Sequence, residues 1–254
     1  MKEKTIDFGY DEVPEDQKQG KVREVFDSVA SKYDLMNDAM SLGIHRVWKD
    51  MTITKVNPQP GELLIDVAGG TGDLARRFIK KANDVRLRRG GKPARSIICD
   101  INAEMLLAGI DANKDQGLDL TRICGNAEAL PFPDNYCDAV TIAFGIRNVT
   151  HRDKALSEFH RILKPGGRLA VLEFSTPPEK FLRTIYDAYS FGVIPKLGKW
   201  FAGDGDSYQY LIESIRRFPK QDAFAEMVKA AGFSQVSWQD YSGGIACLHF
   251  GWKV

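Results

Sequence analysis

The feature that most constrains the fold is an apolar run that leads directly into a glycine-rich turn. The run ELLIDVA, residues 62–68, is followed by GGTGD, residues 69–73, and a helical pattern begins near Leu74. A short apolar run bounded by turn residues is typical of a strand buried on both faces of a parallel sheet. Glycines at the end of such a strand let the backbone approach a ligand where a side chain would collide with it. The segment predicts a strand, turn and helix that bind a nucleotide-like molecule, with a plain tight turn as the alternative.

Strand and helix patterns alternate after this first unit. Apolar strand-like runs and helical runs follow one another in the segments 96–101, 103–113, 120–130, 139–146, 153–163 and 168–174. Such alternation favours a parallel sheet with right-handed crossovers and a ligand crevice at the carboxyl ends of the strands. The predicted fold class is therefore α/β and Rossmann-like.

The two ends of the chain extend this core. Apolar residues at helical spacing between Val22 and Tyr33, and again between Ile44 and Met51, predict two helices before the first strand. An aromatic helical segment runs from Ser175 to about Gly203, and a helix at 221–231 precedes two strands, SQVSWQDY and GIACLHFGW, that form a closing antiparallel hairpin. We predict one domain over 1–254, consisting of an N-terminal helical cap (1–57), a cofactor-binding core (58–175), a helical substrate or lid segment (176–220) and a C-terminal helix with strands (221–254).

Charge and composition exclude several classes of protein. The net charge is only +1, which disfavours a nucleic-acid partner. Four cysteines without a Cys-x-x-Cys pair and four histidines without helical metal spacing predict no metal site. No apolar run approaches the roughly 20 residues that cross a bilayer, and the N-terminus is too acidic for a transit peptide. We expect a cytoplasmic protein, with attachment to a membrane surface left open.

Polar residues near the strand ends indicate which nucleotide is bound. Asp66 lies just before the turn, where a carboxylate opposes a pyrophosphate and suits a ligand with a cationic amino acid end. NAD binding stays formally open, because Gly70, Gly72 and Ala75 match a dinucleotide fingerprint. Asp100 ends the second strand, where we expect a solvent-facing carboxylate that binds both ribose hydroxyls of either cofactor. Asn126 and the neighbouring Ala127 can read the edge of adenine, although an ordinary turn-forming asparagine is the alternative.

Longer strings of the sequence are more specific than these single motifs. They are KYDLMND (32–38), DVAGGTGD (66–73), NAEALPFPD (126–134), FGIRNV (144–149), RILKPGGRLAVLEFS (161–175), DAYSFGVIP and DSYQYLIESI. Together they resemble the ubiquinone/menaquinone biosynthesis C-methyltransferases of the UbiE type, over nearly the whole chain from Phe26 onward.

The resemblance implies a fold, a co-substrate and a reaction. The fold is a class I methyltransferase with a mostly parallel seven-stranded sheet and an antiparallel C-terminal edge strand. The reaction transfers a methyl group from S-adenosyl-L-methionine to a ring carbon of a polyprenylated quinol, either 2-methoxy-6-polyprenyl-1,4-benzoquinol, demethylmenaquinol or both. The resemblance implies cofactor contacts by Thr71, Asp100, Asn126 and Ala127, which join Asp66, Gly69, Gly70 and Gly72 of the glycine turn as predicted cofactor-binding residues. Ala143 also belongs to this predicted set, but it stands where relatives often carry serine, so a hydroxyl hydrogen bond near the cofactor is missing.

The chemistry of the quinol indicates candidate catalytic residues. Its ring carbon becomes strongly nucleophilic only as the phenolic hydroxyl, with a pKa of about 10, loses its proton. We expect the guanidinium of Arg147 to stabilise the resulting oxyanion, with Asn148 orienting a water or the quinol oxygen. Tyr33 is expected to face the sulfonium with its ring. The alternatives are a surface salt bridge for Arg147 and core packing for Tyr33.

The sequence leaves alternatives open for the substrate channel, the partners and the function. The aromatic segment 181–201 predicts a channel for the prenyl tail or a surface that rests on a bilayer, with core packing as the alternative. The basic segment 86–95 is interpreted as a solvated loop or a contact for anionic lipid headgroups. A homodimer and a quinone-biosynthesis complex stay open as partners. Rival functions are an NAD-dependent oxidoreductase, a non-catalytic S-adenosylmethionine-binding scaffold and an RNA methyltransferase.

Overall fold

The N-terminal segment combines a hairpin with helices. The computed structural model describes residues 4–29, 38, 41, 43–192 and 205–254, so the predicted site residue Tyr33 lies outside the described residues. Strands β1 (Thr5–Phe8) and β2 (Asp11–Pro14) pair in an antiparallel hairpin before helices α1 (Glu15–Val29) and α2 (His45–Val56). The sequence predicts helices alone here. The hairpin was not predicted, because strands of four residues are too short to show a clear alternating pattern.

Seven of the described strands form one sheet. They are β3 (Leu63–Val67), β4 (Arg95–Asp100), β5 (Leu120–Cys124), β6 (Cys137–Ala143), β7 (Leu163–Phe174), β8 (Ser234–Tyr241) and β9 (Ala246–Trp252). Their order across the sheet is β5-β4-β3-β6-β7-β9-β8. The first five strands in that order pair in parallel, whereas β9 is antiparallel to both of its neighbours. The prediction of a mostly parallel Rossmann-like sheet with an antiparallel C-terminal strand is confirmed, with β8 outermost and β9 beside it.

Helices cover both faces of this sheet. The remaining helices are α3 (Asp73–Arg89), α4 (Ala103–Ala108), α5 (Ala112–Asp115), α6 (Arg152–Ile162), α7 (Lys180–Gly192), α8 (Gly205–Arg217) and α9 (Gln221–Ala230). One apolar core packs Trp48 of α2 and Phe78 of α3 against the sheet. A second core on the opposite face contains Phe159 of α6 and Phe224 of α9. No helix in the described parts of the chain is long and apolar enough to span a bilayer.

Helix α3 extends further than the sequence suggests. It continues through Arg89, so only the later part of the predicted basic loop at 86–95 is loop. Leucine and arginine are good helix formers, and the helix stops only where Gly90 and Gly91 adopt positive φ angles of 76° and 111°.

The strand order also determines where a ligand crevice lies. From β3 the chain moves to β4 on one side, whereas β6 pairs with β3 on the other side. The order therefore reverses between β4 and β6, and a crevice opens beyond the carboxyl ends of the strands at that point. Ala68 after β3 and Phe144 after β6 both have positive φ angles, 48° and 58°. Residues without glycine's freedom adopt this conformation rarely, and they concentrate at functional sites.

Candidate active site

A cavity lies at this crevice, beneath helix α1. Its floor and walls come from the ends of β3, β4, β5 and β6, and its cover comes from one side of α1. The predicted residues that line it are Gly70, Asp100, Asn126, Ala127 and Asn148. Arg147 and Ala143 are not in its wall, and Thr71 lines a different cleft on the outer side of α3. The structure thus brings together residues from four separate sequence motifs.

The glycine turn approaches the cavity through its backbone. Gly70 has a φ angle of 51° and Gly72 one of 84°, a region that L-residues with side chains rarely adopt. The N–H of Gly70 donates to Asp100 Oδ2 at 2.8 Å. The turn after β3 is therefore fixed to the end of β4, and glycine is required there for its conformation as well as for space.

Asp100 is built into the wall of the cavity. Its other oxygen, Oδ1, accepts the N–H of Asn102 at 2.9 Å, and the residue is only 8% exposed. Burial raises the pKa of this carboxyl, while the backbone N–H groups oppose that rise. The expectation of a solvent-facing carboxylate is wrong, because the turn of Gly70 and the start of α4 close around it. A carboxylate has about four acceptor sites, so the two bonds leave capacity for a ligand hydroxyl.

Asp66 supports the glycine turn from below. It is 2% exposed, and its Oδ1 accepts the hydroxyl of Thr141, the residue opposite it on β6, at 2.6 Å. Burial raises its pKa to about 7. A Cβ atom on Gly69 would lie 2.9 Å from Asp66 Oδ2, so the turn packs directly on the carboxyl. The structure therefore places Asp66, Gly69 and Gly72 behind the cavity wall.

Asn126 holds the turn after β5. Its Oδ1 accepts the N–H of Glu128 at 2.9 Å, and its backbone pairs with Ala129. The side chain thus makes the contact of an ordinary turn-forming asparagine, which was the alternative considered from the sequence. It also lines the cavity beside Ala127. These two roles are compatible, because the turn presents both residues to the ligand side.

Arg147 points into the protein. Its side chain is 1% exposed, and its Nη1 donates to Glu173 Oε1 and to the carbonyl of Phe144, both at 2.6 Å. Its Nε donates to the hydroxyl of Ser214 at 3.3 Å, and the guanidinium lies 5.6 Å from the ring centre of Phe174. The surface salt bridge considered from the sequence is wrong, because this ion pair is buried.

Asn148 shares a single 3-10 turn with Arg147 but faces the other way. It lines the cavity, and its Oδ1 accepts the hydroxyl of Tyr210 at 3.1 Å. Its Nδ2 is buried without a hydrogen-bond partner among the described residues. Burial raises the pKa of Tyr210 to about 12, so its hydroxyl stays protonated and remains a donor. The ring of Tyr210 stacks on Phe8 of the N-terminal hairpin at 4.2 Å.

Helix α1 closes the cavity, whereas the sequence predicted only a helical cap over 1–57 without saying which residues face the ligand. Gln19, Val22, Arg23 and Phe26 line the cavity from above. The helix is fastened near its two ends, where Glu15 pairs with His151 Nε2 at 2.7 Å and Asp27 accepts from Asn102 Nδ2 at 2.7 Å. The apolar spacing of Val22 and Phe26 was the available signal, but it predicts only a helix with a buried side.

The sheet order, the glycine turn and the strand-end carboxylate together define a class I methyltransferase of Rossmann-like fold. Solved structures of this fold are similar: one titled as a SAM-dependent methyltransferase from Aquifex aeolicus aligns with a TM-score of 0.57 at 15% identity, covering 81% of this chain and 89% of that one. The [4+2]-cyclase SpnF aligns with a TM-score of 0.64 at 17% identity, covering 91% and 94%. Identities this low show the fold alone.

The sequence relationship is far closer. Residues 14–253 match the ubiE/COQ5 methyltransferase family, and the chain belongs to that family. It is 53% identical over the full length of both chains to the "Ubiquinone/menaquinone biosynthesis C-methyltransferase UbiE" of Caulobacter vibrioides. It is 49% identical to the "2-methoxy-6-polyprenyl-1,4-benzoquinol methylase, mitochondrial" of Bos taurus, covering 97% of this chain and 83% of that protein. The recognition of the family from its strings is confirmed.

Family membership decides between the rival functions. The chain is an S-adenosyl-L-methionine-dependent methyltransferase, and S-adenosyl-L-methionine is its co-substrate. An NAD-dependent oxidoreductase and a non-catalytic scaffold are therefore excluded. The prediction drawn from Asp66 and the glycine turn, a ligand with an amino acid end, agrees with this co-substrate.

Substituting Asp100 tests the cavity wall. We expect Asp100→Ala to weaken S-adenosyl-L-methionine binding by about 1.5 to 3 kcal/mol, and to lower stability because two buried N–H groups lose their acceptor. Asp100→Asn should be milder, since an amide oxygen still satisfies one of them. The control is Asp111→Ala, which removes the acceptor of two N–H groups at the exposed start of α5. Calorimetric affinity and melting temperature are the measurements, and unchanged values for Asp100→Ala would contradict the assignment.

The buried ion pair predicts a shared phenotype for its two members. Arg147→Met and Glu173→Leu should each lower the melting temperature, because removing one partner of a buried pair leaves an unpaired charge and costs about 3 to 5 kcal/mol. The double variant Arg147→Met/Glu173→Leu should lose less than the sum of the single variants. Unfolding free energies measure this coupling. If Arg147 instead contacted the quinol, Arg147→Lys would depress kcat while Glu173→Gln left kcat unchanged.

Proposed function

We propose that this enzyme methylates a ring carbon of a polyprenylated benzoquinol or naphthoquinol in ubiquinone and menaquinone biosynthesis. One observation carries the proposal: relatives at about 50% identity over nearly the whole chain are named for these reactions, in a bacterium as ubiquinone/menaquinone methylation and in mitochondria as benzoquinol methylation. The substrate on this basis is 2-methoxy-6-polyprenyl-1,4-benzoquinol, demethylmenaquinol or both.

The cavity residues fit S-adenosyl-L-methionine. Asp100 has acceptor capacity for the ribose hydroxyls, and Asn126 with Ala127 lies where adenine is read. The open backbone around Gly70 suits the amino acid end. The co-substrate supplies a methyl group activated by a positively charged sulfur.

The enzyme's own contribution begins with the amide of Asn148. The ring carbon of the quinol gains nucleophilicity as its hydroxyl oxygen becomes negative. We assign Asn148 Nδ2 as the donor that stabilises this oxygen, because it is buried at the cavity without a partner among the described residues. Donors held in place before the reaction stabilise developing charge without reorganisation. Tyr210 holds this donor by fixing the amide oxygen.

Arg147 takes a positioning role in this proposal. Its bonds to Glu173 and to the carbonyl of Phe144 fix the turn that presents Asn148. The apolar side chains of Val22, Phe26 and Phe144 line the cavity and exclude water from the reacting groups. The role of Tyr33 at the sulfonium stays a prediction.

The prenyl tail gives the proposal its cellular setting. Helix α7 carries Phe181 with 78% of its surface exposed at the start of the aromatic segment 181–201. Residues 193–201 of this segment lie outside the described residues. We propose that the tail leaves the cavity along α7 and that the enzyme works in the cytoplasm at a membrane surface. Association with a second copy or with a quinone-biosynthesis complex stays a prediction.

Product analysis tests the function directly. The full chain is mixed with methyl-labelled S-adenosyl-L-methionine and short-tailed quinols of both ring types, each offered reduced or oxidised. We expect a methyl group on ring carbon only with the reduced forms, because a quinone has no phenolic proton to release and its ring carbon is electron-poor. Mass spectrometry locates the label. Labelled oxygen in place of carbon, or equal turnover of quinone under non-reducing conditions, would contradict the proposal.

Tyr210→Phe tests the orientation of Asn148. The substitution keeps the ring that stacks on Phe8 and removes only the hydroxyl. We expect kcat to fall by roughly tenfold, the equivalent of one neutral hydrogen bond of about 1 kcal/mol or slightly more, with unchanged affinity for S-adenosyl-L-methionine. Tyr241→Phe is the matched control, since it removes another buried tyrosine hydroxyl that does not line the cavity. Equal kcat values for the two variants would remove Tyr210 from the mechanism.

A further inference from the structure

A second cleft lies on the outer side of helix α3, behind the glycine turn. It has a volume of about 740 Å³ and is bounded by α2 on one side and by residues 108–114 on the other. Thr71 and Asp73 form its end nearest the cofactor cavity. We call it the outer cleft. Nothing in the proposed methyl transfer uses it.

The outer cleft has a moderate excess of positive charge, because six lysine and arginine residues and four aspartates line it. The segment 76–95, which contains most of α3 and the loop after it, has nine lysine and arginine residues against one acidic residue, in a chain whose net charge is +1. Several of these cations are already neutralised, for example Arg76 by Asp115 at 2.6 Å. Lys80 and Lys81 line the cleft, are exposed, and have no ion-pair partner among the described residues. They are the cations that remain for an anion, with Asp84 as the acidic residue beside them in the cleft.

Apolar side chains border the same surface. Eleven large apolar side chains are exposed in the described parts of the chain, and six of them belong to the elements around the outer cleft: Ile44, Val47, Met51, Leu87, Leu107 and Ile110. Val47 and Met51 are one turn apart and each follows a cleft-lining residue of α2. Ile110 lines the opposite side. Exposed apolar residues gathered in one place mark an interaction surface, whereas single ones need no explanation.

We propose that this surface docks on a bilayer that contains anionic phospholipid, with headgroup phosphates at Lys80 and Lys81 and the apolar residues inserted at the boundary with the acyl chains. Basic residues near a membrane attract anionic lipid by about 1 kcal/mol each, and apolar side chains add binding by burial. Charge alone would suit nucleic acid equally, but the exposed apolar residues on the elements that bound the cleft, with Ile110 in its lining, favour lipid. This inference rests on the proposed function, because the polyprenyl tail of the proposed substrate is what brings the enzyme to a bilayer.

Vesicle co-sedimentation of the full chain tests the docking. We expect binding to vesicles of phosphatidylcholine with 30% phosphatidylglycerol (roughly 1 kcal/mol per basic residue), little binding to phosphatidylcholine alone, and release at high salt. Lys80→Glu/Lys81→Glu should weaken partitioning by about thirtyfold or more, because two attractive charges are lost. Val47→Ser/Ile110→Ser should also weaken it, with the salt dependence retained.

The control reverses two charges on the opposite face of the sheet. Lys154→Glu/Lys220→Glu makes the same change in net charge beside the second apolar core, and it should bind vesicles as the unaltered chain does. Equal losses for both double variants, or binding that ignores phosphatidylglycerol, would overturn the proposal. Binding of double-stranded DNA or transfer RNA in place of vesicles would overturn it as well.

Methylation of a short-tailed quinol without vesicles is measured in parallel. It should be the same in all these variants, because none of the four lysines lines the cofactor cavity. Failure of the methylation assay with intact vesicle binding would refute the proposed function alone. Intact methylation without vesicle binding would refute the docking surface alone.

Discussion

The hydrogen bond between Thr141 and Asp66 joins the two strands on which the site depends. It lies at the centre of the sheet, with Thr141 fully buried and Asp66 2% exposed, just below the reversal of strand order. From that point β3 continues into the glycine turn and β6 continues into the turn of Phe144 and Asn148. The carboxyl whose pKa burial raises to about 7 thus connects the two turns that, in the proposed mechanism, bind the co-substrate and face the quinol.

Arg147 and Asn148, the two polar residues of the 3-10 turn, differ in charge and in their position relative to the cavity. The charged guanidinium of Arg147 is outside the cavity wall and neutralised by Glu173, whereas the neutral residue Asn148 lines the cavity. An unpaired cation beside a positively charged sulfur would be repelled by it. A neutral donor such as the Asn148 amide is not repelled by that sulfur. This arrangement explains why adjacent residues of one motif have different environments.

Much of the site was predictable because its signals are local. The strand, the glycine turn and the strand-end Asp100 are each recognised from a short stretch of sequence whose pattern follows from backbone geometry. The direction of Arg147 was not predictable, because its partner Glu173 is 26 residues away and either side of the turn would accommodate an arginine. The contribution of α1 was hidden for a related reason. An apolar stripe such as Val22 and Phe26 indicates burial without saying whether protein or ligand lies opposite.

Helix α1 has a consequence for the timing of turnover. It covers the cavity proposed to hold the methyl donor and is fastened by two polar contacts near its ends, so in the proposed mechanism exchange of the spent donor competes with those contacts. The hairpin that precedes α1 also supports Tyr210 through Phe8, and Tyr210 orients Asn148. Opening the helix for exchange therefore loosens the very amide that assists the reaction. In that mechanism, faster release of the spent donor comes with a less ordered site.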